Sequence, residues 1–243
     1  MRIALISDVH GNDVAFAAAL HDLDRVGVER VVCLGDVLQG GAQPAQSGAR
    51  LRELGCDVVL GNADAFLLEV PADSPEPVTE RALEVREWTR SELGESGLEL
   101  IRSFAPTVET EADGARILCF HGSPRSYDDV LVPELDEAAL EPFLGQGRFD
   151  LLAGGHTHKQ WSRVLDGAHF VNPGSVGLAY DHHQPEDDFR LAPVAEYAIV
   201  FVDSHGIGVE FRRVPYSYDE LQTAILDSGR PHAVDFAAEW RTP

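Results

Sequence analysis

An α/β fold built on a mostly parallel sheet is what this sequence predicts, on three observations. Short apolar runs end in small polar loops and are followed by helix-like stretches, and this rhythm repeats from the first residue. The runs are apolar throughout rather than alternating, as strands buried on both faces are. The chain has 243 residues, 44% of them hydrophobic and 25% charged, enough to bury a sizeable core. It reads as a single domain over 1–243.

Ile3 to Ser7 is the first buried strand, and it ends in Asp8-Val9-His10-Gly11-Asn12. Asn12 or Asp13 caps a helix from about Val14 to Arg25, which Gly27 stops. Arg30 to Leu34 is a strand ending at Gly35-Asp36; Ala45 to Leu54 is helical; Asp57 to Leu60 is a strand ending at Gly61-Asn62-Ala63-Asp64. Asp73 to Pro77 is proline-rich and loop-like. Helices over Glu80–Thr89 and Leu98–Phe104 then form a short excursion, about 73–105, over whatever the strand ends carry.

Arg116 to Phe120 is a strand ending at His121-Gly122, Asp136 to Phe143 a short helix, and Asp150 to Ala153 a strand ending at Gly154-Gly155-His156-Thr157-His158. Ala168 to Val171 precedes the turn-rich Asn172-Pro173-Gly174-Ser175-Val176-Gly177. A hairpin over Glu196–Val202 and Gly208–Val214, then a helix opened by the capping pair Ser217 and Glu220, close the domain over about 195–230.

The charge balance excludes one class of partner. Lys and Arg number 19 against 41 Asp and Glu, a formal charge of -22. Duplex nucleic acid needs cationic side chains to replace its counterions, so it is not an expected partner. A small phosphorylated ligand remains compatible, because bound divalent cations invert the local field. Three cysteines, Cys33, Cys56 and Cys119, stand in apolar runs and read as buried reduced thiols. The N-terminus is too soon acidic for a signal peptide, and no uncharged run approaches the roughly 18 residues of a bilayer span. A cytoplasmic protein with no membrane partner is expected; its oligomeric state is left open.

Five strand ends carry metal-ligating residue types: Asp8 and His10, Asp36, Asn62, His121, and His156 with His158. Each by itself is an ordinary turn, cap or core residue. Together they fall where a parallel sheet gathers its ligands, at the carboxyl ends of strands. The i, i+2 spacing of His156 and His158 can aim both rings to one side. Imidazole, carboxylate and amide oxygen suit Zn, Mn, Fe, Co or Ni better than Mg. Seven ligands exceed one tetrahedral site and suit two ions sharing a carboxylate. Asn12 and Asn62 are the candidate substrate contacts.

Asp8-Val9-His10, Gly35-Asp36-Val37, Gly61-Asn62-Ala63-Asp64, His121-Gly122 and Gly155-His156-Thr157-His158 resemble the five-block signature of calcineurin-like metallophosphoesterases. Asn172-Pro173-Gly174-Ser175 and Arg213-Val214-Pro215-Tyr216 resemble its small bacterial and archaeal branch. The resemblance runs from Met1 to about Tyr216. It implies a four-layer α/β/β/α sandwich with two divalent transition-metal ions. One ion would take Asp8, His10, Asp36 and His158; the other would take Asp36, Asn62, His121 and His156. A metal-bridging hydroxide would then attack phosphorus.

Two departures stand out. Many relatives carry a His after the Asn of the third block, placed to protonate the leaving oxygen; here that residue is Ala63. The segment from Leu178 to Pro193 also differs, and its His182 and His183 are candidate replacement proton donors. A missing general acid, worth about 10²–10⁴ in rate, penalises poor leaving groups most. The expected function is therefore hydrolysis of phosphodiester or nucleotide pyrophosphate bonds. The alternatives are a phosphoprotein or general phosphomonoesterase, and a catalytically weak interaction module of the same fold.

Overall fold

The computed structural model describes residues 1–71, 78–144, 149–165, 167–185 and 188–241. The expected loop over 73–77 lies outside them. The elements are β1 (Arg2–Ile6), α1 (Asp13–Val26), β2 (Arg30–Cys33), α2 (Pro44–Leu54), β3 (Asp57–Val58), α3 (Asn62–Leu68) and α4 (Glu80–Arg102). Then come β4 (Val108–Ala112), β5 (Ala115–Cys119), α5 (Glu137–Leu144), β6 (Leu151–Ala153), β7 (Gln160–Leu165) and β8 (Ala168–Pro173). The hairpin β9 (Val194–Asp203) and β10 (Gly206–Pro215) leads into α6 (Tyr218–Asp227) and α7 (Ala233–Ala238).

The strands form two five-stranded sheets, ordered β10-β9-β1-β2-β3 and β4-β5-β6-β8-β7. Both are mixed, which corrects the expectation of a mostly parallel sheet. In the first, β1, β2 and β3 run parallel while the β9–β10 hairpin joins β1 antiparallel. In the second, β5, β6 and β8 run parallel, with β4 and β7 antiparallel at the edges. The strand period of two sorts the side chains between layers. Ile3 and Leu5 of β1 pack between the sheets with Val32, Ile117, Leu151 and Val200. Ala4 and Ile6 face the other way, onto Phe16, Leu38, Leu51 and Ile101 of the helical layer. Leu118, Leu152 and Phe170 turn outward onto Leu140 of α5. This is the α/β/β/α sandwich. Each fully buried Leu, Ile or Phe here stabilises it by about 1.5–3 kcal/mol.

Capping follows the sequence closely at two helices. The Asn12 side chain accepts from Ala15 N–H, and Gly27 closes α1 at φ 72°. Ser217 accepts from Glu220 N–H at α6. The excursion holds two helical segments, as expected, which follow one another in α4 and meet at a kink at Gly94. The backbone there, at φ 58° and ψ -173°, leaves the helical region and takes a positive-φ conformation that glycine tolerates. The thiols of Cys33 and Cys119 are buried, whereas Cys56 is only half-buried. Burial pushes Cys56 and Cys119 up to about 12, so both stay thiols. No described helix is long and apolar enough to cross a membrane.

Candidate metal centre

The parallel strands of both sheets deliver their carboxyl ends to one edge, and the backbone there is laced together. Asp8 N–H donates to Gly35 O (2.9 Å), His10 N–H to Asp36 O (2.8 Å) and Gly155 N–H to His121 O (2.8 Å). Asn172 ties down the last turn, its amide donating to Gly155 O at 2.6 Å. Ser175 Oγ donates to Asp8 O at 2.7 Å. The Asn172–Ser175 motif is thus a clamp on the strand ends. Two glycines make the approach possible. A Cβ at Gly35 would lie 2.7 Å from Gly61 N, and one at Gly61 would lie 2.0 Å from Asp36 Oδ1.

Seven side chains converge at this edge. Asp8, His10 and His158 form one triad and Asp36, His121 and His156 another. His156 and His158, two residues apart, are therefore split between the triads. His158 Nε2 lies 3.2 Å from Asp8 Oδ1 and 3.1 Å from His10 Nε2. His121 Nε2 lies 3.2 Å from Asp36 Oδ2 and 3.0 Å from Asn62 Oδ1. Asp36 Oδ2 is also 3.8 Å from His10 Nε2, so this one carboxylate stands between the two groups.

Backbone strain accompanies the convergence. Among the described residues other than glycine, seven have positive φ, and five of them are Asp8 (56°), His10 (49°), Asp36 (54°), His156 (69°) and His158 (54°). Such conformations cost roughly 1–3 kcal/mol each and persist where the surroundings enforce them. Here they turn side chains off the strand ends toward a common point.

The donor chemistry fits cations. His10 Nδ1 faces Gln39 O at 2.8 Å and His121 Nδ1 faces Leu34 O at 2.7 Å. A carbonyl only accepts, so both Nδ1 atoms carry hydrogen and both Nε2 atoms present lone pairs in the neutral ring. The His10 lone pair faces His158 Nε2, and that of His121 faces Asp36 Oδ2 and Asn62 Oδ1. Asp8 Oδ1, fully buried, has no hydrogen-bond partner. A cluster of acceptors without donors is repulsive unless positive charge lies between them. The titration behaviour agrees. Burial opposes protonation of His10 and His121, yet Asp8 and Asp36 outweigh it and raise them to about 8 and about 9. Burial pushes Asp8 up, but His158 and His10 hold it well below the usual carboxylate range. Burial and the His121 charge lower His156.

The remaining candidates have other placements. Asn62 opens α3, with its oxygen at His121. Asn12 is buried and engaged at both ends of its amide: it caps α1 and donates to Gly177 O (2.9 Å) and Tyr216 Oη (3.2 Å). That is a structural task rather than the substrate contact expected of it. His183 is 97% exposed beside Asp181. His182 packs edge-on against Tyr180, their ring centroids 4.3 Å apart. Burial, then Lys159 and Arg213, lower its pKa and favour the neutral ring. Among the described residues, no hydrogen bond or ion pair joins either histidine to the seven. One residue of the centre was missed from sequence. Fully buried Asp64 accepts from Val37 N–H and Leu38 N–H, both at 2.9 Å, and fixes the loop that carries Asp36. Its position in the Gly61–Asp64 block was the available signal.

The profile of the calcineurin-like phosphoesterase superfamily domain matches residues 1–196. A metallophosphoesterase from Sphaerobacter thermophilus of known crystal structure is 26% identical, with a TM-score of 0.72 over 98% of both chains. A hypothetical protein from Pyrococcus horikoshii OT3 shares the fold at a TM-score of 0.79 and 17% identity, over 97% of both chains. An uncharacterized protein of Methanocaldococcus jannaschii is 26% identical over 246 residues, 94% of this chain and 93% of that one.

Proposed function

This chain belongs to the calcineurin-like phosphoesterase superfamily and is a metal-dependent hydrolase of phosphoester bonds; from that premise we propose a dinuclear phosphohydrolase that favours phosphodiester or nucleotide pyrophosphate bonds. The observation that carries this reading is the pair of triads joined at Asp36. Asp8, His10, Asp36 and His158 would hold one divalent transition-metal ion, and Asp36, Asn62, His121 and His156 the other. Such ions supply Lewis-acid chemistry: a water acidified enough to attack phosphorus near neutral pH, and neutralisation of the phosphoryl charge.

The chain's own residues orient that chemistry. The carbonyls of Gln39, Leu34 and Leu178 each face an imidazole Nδ1, of His10, His121 and His158. They fix ring direction and raise the basicity of Nε2. Ala63 N–H donates to Asp36 Oδ1 at 2.8 Å and holds that oxygen in place. The Ala63 methyl has no proton to give to a leaving oxygen. With neither His182 nor His183 joined to the seven side chains among the described residues, solvent or the substrate itself would supply the proton. Low-pKa leaving groups are the ones that tolerate this.

Metal-stripped protein reloaded with Mn, Zn, Ni, Co or Mg tests the proposal. Two ions per chain are expected, with turnover of bis(4-nitrophenyl) phosphate well above that of an alkyl monoester. Ala63→His should raise monoester turnover more than activated-diester turnover. A single ion per chain would sink the dinuclear reading, and equal wild-type rates on both substrates would sink the leaving-group argument.

A further inference from the structure

Beside the metal edge lies a cavity of about 610 Å³ that nothing above uses. It shares Asn62 with the centre, is lined by Ala63 beside it, and lies between α3, the start of α4 and the loop at Tyr127. Its size falls in the range of small-molecule pockets, about 300–1,000 Å³. Three features of its wall define what would fill it. Phe66, Val78, Ala82 and Tyr127 give it apolar and aromatic surface. Its described lining includes Glu69 and Asp128 but no Lys or Arg, so a phosphate chain would meet no cation there. Gln39, 8% exposed, lines the cavity, and its Oε1 is buried without a partner.

Phe66 is held firmly. Arg86 Nε–H donates to Phe66 O at 2.6 Å, and the guanidinium stacks 5.5 Å from the ring centroid. The wall is therefore built rather than incidental.

We infer that this cavity receives a nucleoside-sized, uncharged substituent of the substrate phosphate, with the Gln39 amide as its hydrogen-bond partner. The inference rests on the phosphoester reading above and narrows it to nucleoside-bearing phosphodiesters. A nucleobase is flat and apolar on its faces and carries both donors and acceptors on its edge, so it satisfies the amide whichever way that amide is turned. A quaternary ammonium group suits the aromatic and acidic wall but offers no such edge.

The test separates the pocket from the chemistry. Adenosine and uridine, which carry no phosphate, are titrated into metal-stripped protein, with choline as the contrasting probe. The metal-loaded enzyme is then assayed on thymidine 5′-(4-nitrophenyl) phosphate and on methyl 4-nitrophenyl phosphate. Saturable nucleoside binding is expected, weakened roughly two- to tenfold by Gln39→Leu and more by Ala82→Trp, which fills the cavity. The kcat/KM preference for the thymidine diester should collapse in Ala82→Trp. Gln39→Leu, nearly isosteric, covers the case in which the tryptophan variant fails to fold. Hydrolysis of both diesters at equal kcat/KM with no nucleoside binding overturns this inference and leaves the phosphohydrolase intact. Choline binding in place of nucleoside overturns it too. No hydrolysis with any metal overturns the chemistry, while nucleoside binding that both variants weaken would still support the pocket.

Discussion

Two regions of this molecule bury a carboxylate with an unpartnered oxygen, and they solve that problem differently. At the metal edge, Asp8 is 0% exposed, and Oδ1 lies 3.2 Å from His158 Nε2 and 3.7 Å from His10 Nε2. Under the Asn172–Gly174 turn, Glu196 of β9 is 3% exposed. Its Oε1 meets Arg213 Nε at 3.0 Å, while Oε2 has no partner and sits where a Cβ on Gly174 would collide at 2.3 Å. The imidazoles hold Asp8 low, whereas burial pushes Glu196 up to about 7 against the pull of Arg213. Burying an acid does not by itself make a site. What distinguishes the metal edge is that several lone-pair atoms meet there on backbones forced to positive φ, whereas Glu196 lies in regular strand.

The largest effect that could break this contrast is at the shared carboxylate. Asp36→Asn keeps an oxygen for Ala63 N–H but makes a poor bridge between dications. Loss of outer-shell partners already costs about 10–100-fold, so a ligand common to both ions should cost more than about a hundredfold in turnover. Bound metal should fall at both sites. Retention of two ions and a tenth of the activity would make Asp36 no more special than Glu196. Next comes Asp64, which holds the Asp36 loop. Asp64→Ala orphans two buried N–H groups, each costing about 1–3 kcal/mol. A stability loss of about 2–5 kcal/mol in urea unfolding is expected, with Asp64→Asn intermediate. A loss below about 1 kcal/mol would mean that the loop is fixed by something else.

How much of this was legible in the sequence depends on whether the signal was local. Asp8, His10, Asp36, Asn62, His121, His156 and His158 could be read because each follows an apolar run, and parallel strands bring such ends together. The caps at Asn12 and Ser217 were legible because capping is a three-residue interaction. The edge strands β4 and β7 were not read. β4 alternates Val and Ala with Glu and Thr and lacks a continuous apolar run, yet Asp113-Gly114 behind it is a hairpin signal. The helix α3 escaped because Gly61-Asn62-Ala63-Asp64 looks like a loop, and its cap carries no side-chain hydrogen bond. His182 and His183 drew attention because their segment, Leu178 to Pro193, departs from the family pattern and Ala63 leaves the donor position empty. Which of two neighbouring histidines meets solvent and which meets Tyr180 is a tertiary fact, absent from local pattern.

The smallest effect sharpens the comparison from the Glu196 side. A carboxyl whose pKa is about 7 in the folded chain and near its ordinary value of 4.5 in the unfolded chain keeps its proton longer when folded. Between those two values the folded state binds more protons, so stability falls as pH rises through them and stays lower above. Glu196→Gln is neutral throughout and lacks that fall. The stability of the variant minus that of wild type should therefore become more positive between pH 5 and pH 8.5, by about 2–3 kcal/mol; the pull of Arg213 is already contained in the folded pKa. Urea unfolding at pH 5, 7 and 8.5 measures this difference, and the pH dependence common to both proteins cancels. Metal content should stay at the wild-type value, because Glu196 touches none of the seven converging side chains. Parallel stability curves would mean that Arg213 keeps Glu196 ionised across the range. The two buried acids would then differ only in what surrounds them, not in their charge.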